Sequence, residues 1–267
     1  MGKTTTTLNL GVGLANKGKK VLLIDADPQA DLTTCLGWQN NEELEESMVT
    51  IFNKVIKGIP TNENEAILHH KEGVDLIPSN IDLESIEVGL GNVMSKEYIL
   101  KTHLDKVKDK YDYIIIDCKP SLSMLTLNAL ACADSVIIPV QAHFLSALGM
   151  THLIQTIRNV KVRTNPNLKI DGVLLTLANM QTRVSKTTLQ TLQRNYGSKI
   201  KIFKSIIPMG IKAVEGTMAG KSLYAYDKSC KPAIAYENFC KEVLNIEKQR
   251  IKDDFTKCRW FICTNIK

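Results

Sequence analysis

The chain has 267 residues, 44% of them hydrophobic and 23% charged. With a mean hydropathy of −0.08 it carries enough apolar material for an extended core, which excludes an intrinsically disordered chain. No run approaches the roughly 18 apolar residues of a membrane span, and seven scattered cysteines in no metal-binding spacing exclude a disulfide scaffold or zinc module, so a cytoplasmic protein without a stable membrane anchor is expected.

The chain opens Met1-Gly2-Lys3-Thr4-Thr5-Thr6-Thr7 and passes into an apolar-periodic stretch expected to be helical over 4–17. A short non-alternating run at 21–24 reads as a strand buried on both faces, followed by Asp25-Ala26-Asp27-Pro28-Gln29. Beyond it come a helical region at 42–56, a weaker strand at 74–77 and a helix at 95–108. The β-branched strand at 113–116 is closed by Asp117 and followed by a helix at 121–131. Strands at 135–140, 173–177 and 202–207 then alternate with helices at 148–163, 185–196 and 233–252. Strand and helix in alternation predict crossover units and a doubly wound, mostly parallel sheet with helices on both faces. Without repeats or a linker-like tract, residues 1–252 read as one domain. Residues 253–267 read as an atypical tail, because Cys258-Arg-Trp-Phe-Ile-Cys-Thr-Asn-Ile-Lys267 has no obvious place in the core.

Gly-Lys-Thr before a helix is the second half of a P-loop. A glycine admits backbone N–H groups to phosphate, a lysine ammonium meets phosphate oxygens, and a threonine hydroxyl suits Mg²⁺. The tripeptide alone could equally be a solvated helix start. Asp27 and Asp117 could each be a turn or helix cap. Their order, GKT, then DxDPQ, then an apolar strand ending in Asp, each at a strand's carboxyl end, is what makes a nucleotide site the better reading.

The segments GKTTTTLNLGVGLANKGKKVLLIDADPQADLTTCLG (2–37) and YDYIIIDCKPSLSMLTLNALACADSVIIPVQ (111–141) closely resemble the ParA/Soj family of partition ATPases, the deviant Walker A group that includes MinD. GVLLTL (172–177) and the stretch ending GKSLYAYD (220–227) extend the resemblance over most of the chain. It implies a P-loop NTPase fold with ATP and Mg²⁺ as ligands. Gly2 and Lys3 would contact phosphate, Thr4 phosphate and Mg²⁺, and Thr5 the α-phosphate. Asp117 would support Mg²⁺, Asp27 would position the attacking water, and Pro208 would line the adenine pocket. It further implies an ATP-dependent homodimer, a ParB-type centromere-binding partner in plasmid or chromosome partitioning, and nucleoid association through non-specific DNA binding.

Lysines concentrate late, and Lys199, Lys201 and Lys212 are the candidate phosphate contacts for DNA. A solvated lysine surface is the alternative. A MinD-like membrane-cycling regulator and a non-hydrolysing remnant are the competing functions.

The sequence departs from the family pattern at several points. Met1 stands at the valine of the family's KGGVGKT motif, so that the first lysine, both early glycines and the strand before them are expected to be missing, a start further upstream is expected, and hydrolysis by the chain is expected to be poor. Lys119 stands in place of a proline, Asp31 in place of asparagine, Asn179 and Gln181 in place of an acid and an arginine, and Met209-Gly210 follows Pro208 in place of Arg-Asn.

Overall fold

The computed structural model describes residues 2–251 and the backbone of 259–263. Helix α1 (Lys3–Ala15) leads into β1 (Val21–Ala26), and α2 (Asp31–Cys35) and α3 (Met48–Ile56) precede β2 (Leu68–His69) and β3 (Asp75–Ile77). Next come α4 (Asp82–Gly89), α5 (Ile99–Val107), β4 (Tyr113–Cys118), α6 (Met124–Cys132), β5 (Ser135–Gln141), α7 (Phe144–Arg163) and β6 (Lys169–Ala178). The chain continues through α8 (Arg183–Tyr196), β7 (Ile202–Pro208), α9 (Ile211–Met218), α10 (Leu223–Asp227), α11 (Lys231–Ile251) and β8 (Arg259–Cys263).

All six strands expected from the sequence form, and they belong to one eight-stranded sheet of order β2-β3-β1-β4-β8-β5-β6-β7. Every neighbouring pair is parallel except β2 with β3. Successive side chains of the central strands divide between two apolar layers. Leu22 and Ile24 of β1, with Ile114 and Ile116 of β4, face the layer that includes α3, α5, α6 and α7. Val21 and Leu23, with Tyr113 and Ile115, face the layer that includes α1 and α11. A strand apolar on both faces can only be stable under two helical layers, which is why these runs do not alternate in sequence.

The helices start where the sequence supplies a cap. Ser47 and Thr50 form a reciprocal capping box at α3, and the Ser123, Thr182 and Ser222 hydroxyls accept first-turn N–H groups of α6, α8 and α10. The shorter α4 was not anticipated, because Leu83 is its one buried side chain and leaves no periodicity to read.

Part of the expected tail joins the sheet: the backbone of β8 lies between β4 and β5, pairing Tyr113 with Arg259 through Asp117 with Cys263 on one side, and Ser135 with Phe261 through Ile137 with Cys263 on the other. Among the described residues no strand precedes α1. Residues 252–258 and 264–267 of the expected tail lie outside the described residues.

Candidate functional site

The parallel strands bring their carboxyl ends to one edge of the sheet, and the acidic residues read from the sequence converge there. Asp25 of β1 and Asp117 of β4 are register partners, 0% and 2% exposed. Two buried carboxylates side by side disfavour their own ionisation. Burial pushes Asp25 up to about 7 against hydrogen bonds from Thr33, whose N–H and hydroxyl donate to Oδ2 at 2.9 and 2.8 Å. Burial, then the Asp25 charge, pushes Asp117 up to about 8, while the Thr4 hydroxyl and the Lys3 charge oppose this. The Thr7 hydroxyl also donates to Asp117 Oδ1, at 3.4 Å.

Asp27 follows β1 in a tight turn. Its N–H donates to Asp25 Oδ1 at 3.2 Å, and its own Oδ1 accepts the Gln29 N–H at 3.1 Å. Ala30 closes the turn in the left-handed region at φ 53°, so that α2 starts at Asp31. Burial raises Asp27 above the usual carboxylate range and the Gln29 bond opposes it; the Asp31 charge raises it further, while Lys3 and Lys119 lower it. Asp31 in turn occupies the first turn of α2, where a negative charge suits the helix dipole. Lys119 forms an ion pair with Glu87, whose carboxylate also accepts the Leu125 N–H at 3.3 Å. The unexpected lysine therefore ties the loop after β4 to α4.

Opposite these carboxylates stands the start of α1. Gly2 adopts φ 77°, a conformation that favours glycine, and a Cβ there would lie 3.3 Å from Thr176 Oγ1. The Gly2 carbonyl accepts from the Thr6 N–H at 3.0 Å and the Thr6 hydroxyl at 2.6 Å. No side chain caps the helix and no acidic residue lies in its first turn. Lys3 is 8% exposed, and among the described residues no carboxylate comes within ion-pair distance of its ammonium. A buried cation without a contact partner, beside uncapped helix N–H groups, fits a polyanionic ligand. Thr4, whose hydroxyl lies near enough to Asp117 to favour its charged form, and Asp117 itself fit a magnesium ion that keeps most of its water. Thr5 lies one position on, its carbonyl accepting the Asn9 side-chain amide at 2.8 Å.

Pro208 ends β7 beside Ala178 of β6 and lines an open cleft of about 740 Å³ with Asn179, Gln181, Met209, Gly210 and Ala235. The cleft adjoins the start of α1. Thr176, two residues before Ala178, is what a Gly2 side chain would meet, and Tyr236, next to Ala235, hydrogen-bonds Thr6 at 3.0 Å. Lys3, Thr4, Asp27, Asp117 and Pro208 are thus gathered along one edge of the sheet.

The three candidate DNA contacts are not brought together. Lys199 and Lys201 precede β7, whereas Lys212 lies in α9 beyond its other end. Seven strand residues separate them by roughly 20 Å. Lys201 sits 5.1 Å from the Phe203 ring centre, and Lys212 pairs with Glu215 at 2.9 Å over the Tyr226 ring.

Sequence reading did not single out Asp25, Thr33, Thr176 or Tyr236. Asp25 carried a signal, as an acid following directly on a wholly apolar strand. The others were chosen by tertiary packing and left none.

A family model described as an AAA domain matches residues 1–170. The chromosome partitioning protein ParA of Caulobacter vibrioides is 35% identical over 252 residues, covering 94% of this chain and 92% of that protein. The sporulation initiation inhibitor protein Soj of Bacillus subtilis is 37% identical over 243 residues, covering 91% and 93%. Among solved structures, cobyrinic acid a,c-diamide synthase from Mycobacterium smegmatis with bound ADP and magnesium is similar at a TM-score of 0.78 and 34% identity, covering 96% of this chain and 92% of that one. Likeness of this extent, in sequence and in backbone alike, shows that the chain belongs to the ParA/Soj family of P-loop ATPases.

Proposed function

We propose that the chain acts as an ATP-binding domain of a partition ATPase, which pairs with a second copy when ATP is bound, holds DNA without sequence preference, and is discharged by a ParB-type partner. The observation that supports it most is the buried Lys3 at an uncapped helix start, without an ion-pair partner among the described residues and with its charge felt by the carboxylates of Asp27 and Asp117. Bound Mg²⁺–ATP would supply the labile phosphoryl group and the positive charge that lets the buried acids ionise.

The chain's own residues do the rest. The Lys3 ammonium and the first N–H groups of α1 neutralise phosphate oxygens. The Thr4 hydroxyl and the Asp117 carboxylate hold the metal ion and its water. Asp27, on a turn at the open side of the site, orients the attacking water by accepting its hydrogen bond. The apolar side of the cleft at Pro208 takes the base.

The test is binding of a fluorescent ATP analogue with Mg²⁺, followed by phosphate release. Lys3→Ala is expected to weaken binding at least about tenfold. Asp27→Ala should keep the affinity and reduce hydrolysis by about 10²-fold or more. Equal affinity in Lys3→Ala would overturn the site assignment, and loss of binding in Asp27→Ala would move Asp27 from the water to the metal or the fold.

A further inference from the structure

Both ends of the segment that carries Asp27 are tied to a single buried side chain, that of Asp25. Its Oδ1 accepts the Asp27 N–H at 3.2 Å, and its Oδ2 accepts the Thr33 N–H and hydroxyl at 2.9 and 2.8 Å. The Thr33 hydroxyl oxygen in turn accepts the Ser79 N–H at 3.1 Å, which anchors the group to the segment after β3. Ala30, at the start of α2, has no side chain that could cap the helix, so the Thr33 N–H in the first turn is satisfied from β1 instead. Between the two ties the chain is tightly bent. The Asp27 carbonyl accepts the Ala30 N–H at 2.9 Å, and Ala30 lies at φ 53°, a left-handed conformation that a non-glycine residue keeps only where its surroundings dictate it. Asp27 leaves this turn with Oδ1 on the Gln29 N–H and with no hydrogen-bond partner for Oδ2 among the described residues. Asp25, by contrast, is 0% exposed and uses both oxygens inside the fold.

We propose that Asp25 is a positioning residue: by holding Asp27 and Thr33 on one carboxylate it sets the free Asp27 oxygen toward the attacking water, and it acts on hydrolysis only through Asp27. The inference rests on the nucleotide reading above. An acid in a wholly buried, otherwise apolar strand costs stability unless it is bonded. Asparagine would fill the same space with a single acceptor oxygen. That oxygen can keep the Thr33 bonds, but the amide NH₂ would then meet the Asp27 N–H, donor against donor. The turn would be released at Asp27 while the pairing of β1 with β3 and β4 stays. A misplacement of about 1 Å at a group that orients a reactant can cost on the order of 10²-fold in rate. Thr33 offers a control that leaves every carboxylate in place: Thr33→Val removes the hydroxyl that Asp25 and Ser79 share, and Thr33→Ser keeps it.

The experiment uses the whole chain with Asp25→Asn, Thr33→Val, Thr33→Ser, Asp27→Ala, and Asp25→Asn combined with Asp27→Ala. Three quantities are read: amide exchange across 27–33 without nucleotide, affinity for a fluorescent ATP analogue with Mg²⁺, and the tightening of Mg²⁺–ADP on adding aluminium fluoride. The fluoride complex imitates the phosphoryl group in flight with water in line, so its tightening reports the oriented water without needing turnover. In Asp25→Asn, exchange should be faster, affinity for the ATP analogue within about threefold of the parent, and the tightening reduced at least about tenfold. Thr33→Val should show a smaller reduction, and Thr33→Ser should restore the parent. The double variant should tighten no less than Asp27→Ala alone, because both changes remove one function. Full tightening in Asp25→Asn would sink the inference and leave the nucleotide reading standing. Weaker binding of the ATP analogue in Asp25→Asn, or a further loss in the double variant, would give Asp25 to the metal or the fold and likewise overturn it. If Asp25→Asn does not fold, the Thr33 pair decides, and equal tightening in Thr33→Val and the parent overturns the inference. Tightening absent from a parent that binds the analogue, or undiminished in Asp27→Ala, would show that Asp27 orients no water, and the inference falls with that role. A parent that binds no ATP analogue would overturn the nucleotide reading itself.

Discussion

His103 shows how a single buried side chain sets a pH limit away from the nucleotide site. It is fully buried on α5, with Nδ1 3.1 Å from the Thr61 hydroxyl and no partner for Nε2 among the described residues. Burial pushes the imidazole down to about 4; the Glu65 charge opposes this and the Lys106 charge adds to it. The folded chain therefore holds fewer protons at this residue than the unfolded one, whose imidazole titrates near 6.5. The stability it protects is complete above about pH 6.5 and is lost as the pH falls through about 4. Denaturant titrations at pH 7, 5.5 and 4.5 should show His103→Gln losing less stability than the parent over this range, by a difference on the order of 3 kcal/mol at most. Parallel curves for the two proteins would show that the imidazole enters no such balance.

At the scale of elements, α1 is placed by close packing against the last helix. A Cβ at Gly13 would lie 2.4 Å from Cys240 Sγ and 2.6 Å from the Tyr224 hydroxyl, so Gly13 lets α1 approach α11 and α10. Gly13→Ala is expected to cost about 1–3 kcal/mol despite alanine's better helix propensity. Thermal melting checks this, and Gly13→Ala with Cys240→Ala should recover part of the loss, because the alanine methyl and the thiol share one space while the Tyr224 hydroxyl still crowds it. These contacts were invisible in the sequence, although α1 itself was legible from its apolar period and its GKT start. The strands β1, β4 and β5 were equally legible, being short apolar runs that need two helical layers to cover them. β2 spans two residues and offers no pattern. β8 was missed for a different reason: its run of Trp260, Phe261 and Ile262 is as strand-like as the others, but position at the end of the chain argued for a tail. The candidate site follows the same rule. Asp117 lies at the end of one recognisable strand and Asp27 in the turn after another, so both could be read, whereas Tyr236 reaches Thr6 from 230 residues away.

For the whole molecule, the separation of Lys199 and Lys201 from Lys212 by the length of β7 bears on how DNA would be held. If all three lysines neutralise phosphates, a duplex must either span both ends of β7 or be shared between two chains. Neutral substitutions at Lys199 and Lys201 should each lower the slope of log affinity against log salt by about one, with Mg²⁺–ATP affinity unchanged. Lys212 is already engaged by Glu215 and Tyr226, so Lys212→Ala should lower the slope by less. Measurements with two unrelated duplexes test both the slope and the lack of sequence preference. Full slope in the double variant Lys199→Ala with Lys201→Ala would assign those lysines to a solvated surface.

The place of β8 in the sheet also bears on how the fold closes. β1 to β4 and β5 to β7 form two groups of strands, and among the described residues β8 joins them by hydrogen bonds. It is the last of the eight to be made. Each group can collapse under its own helices, and among the described strands the pairing that joins them, β8 with β4 and β5, links the residues most distant in sequence, a closure of high contact order.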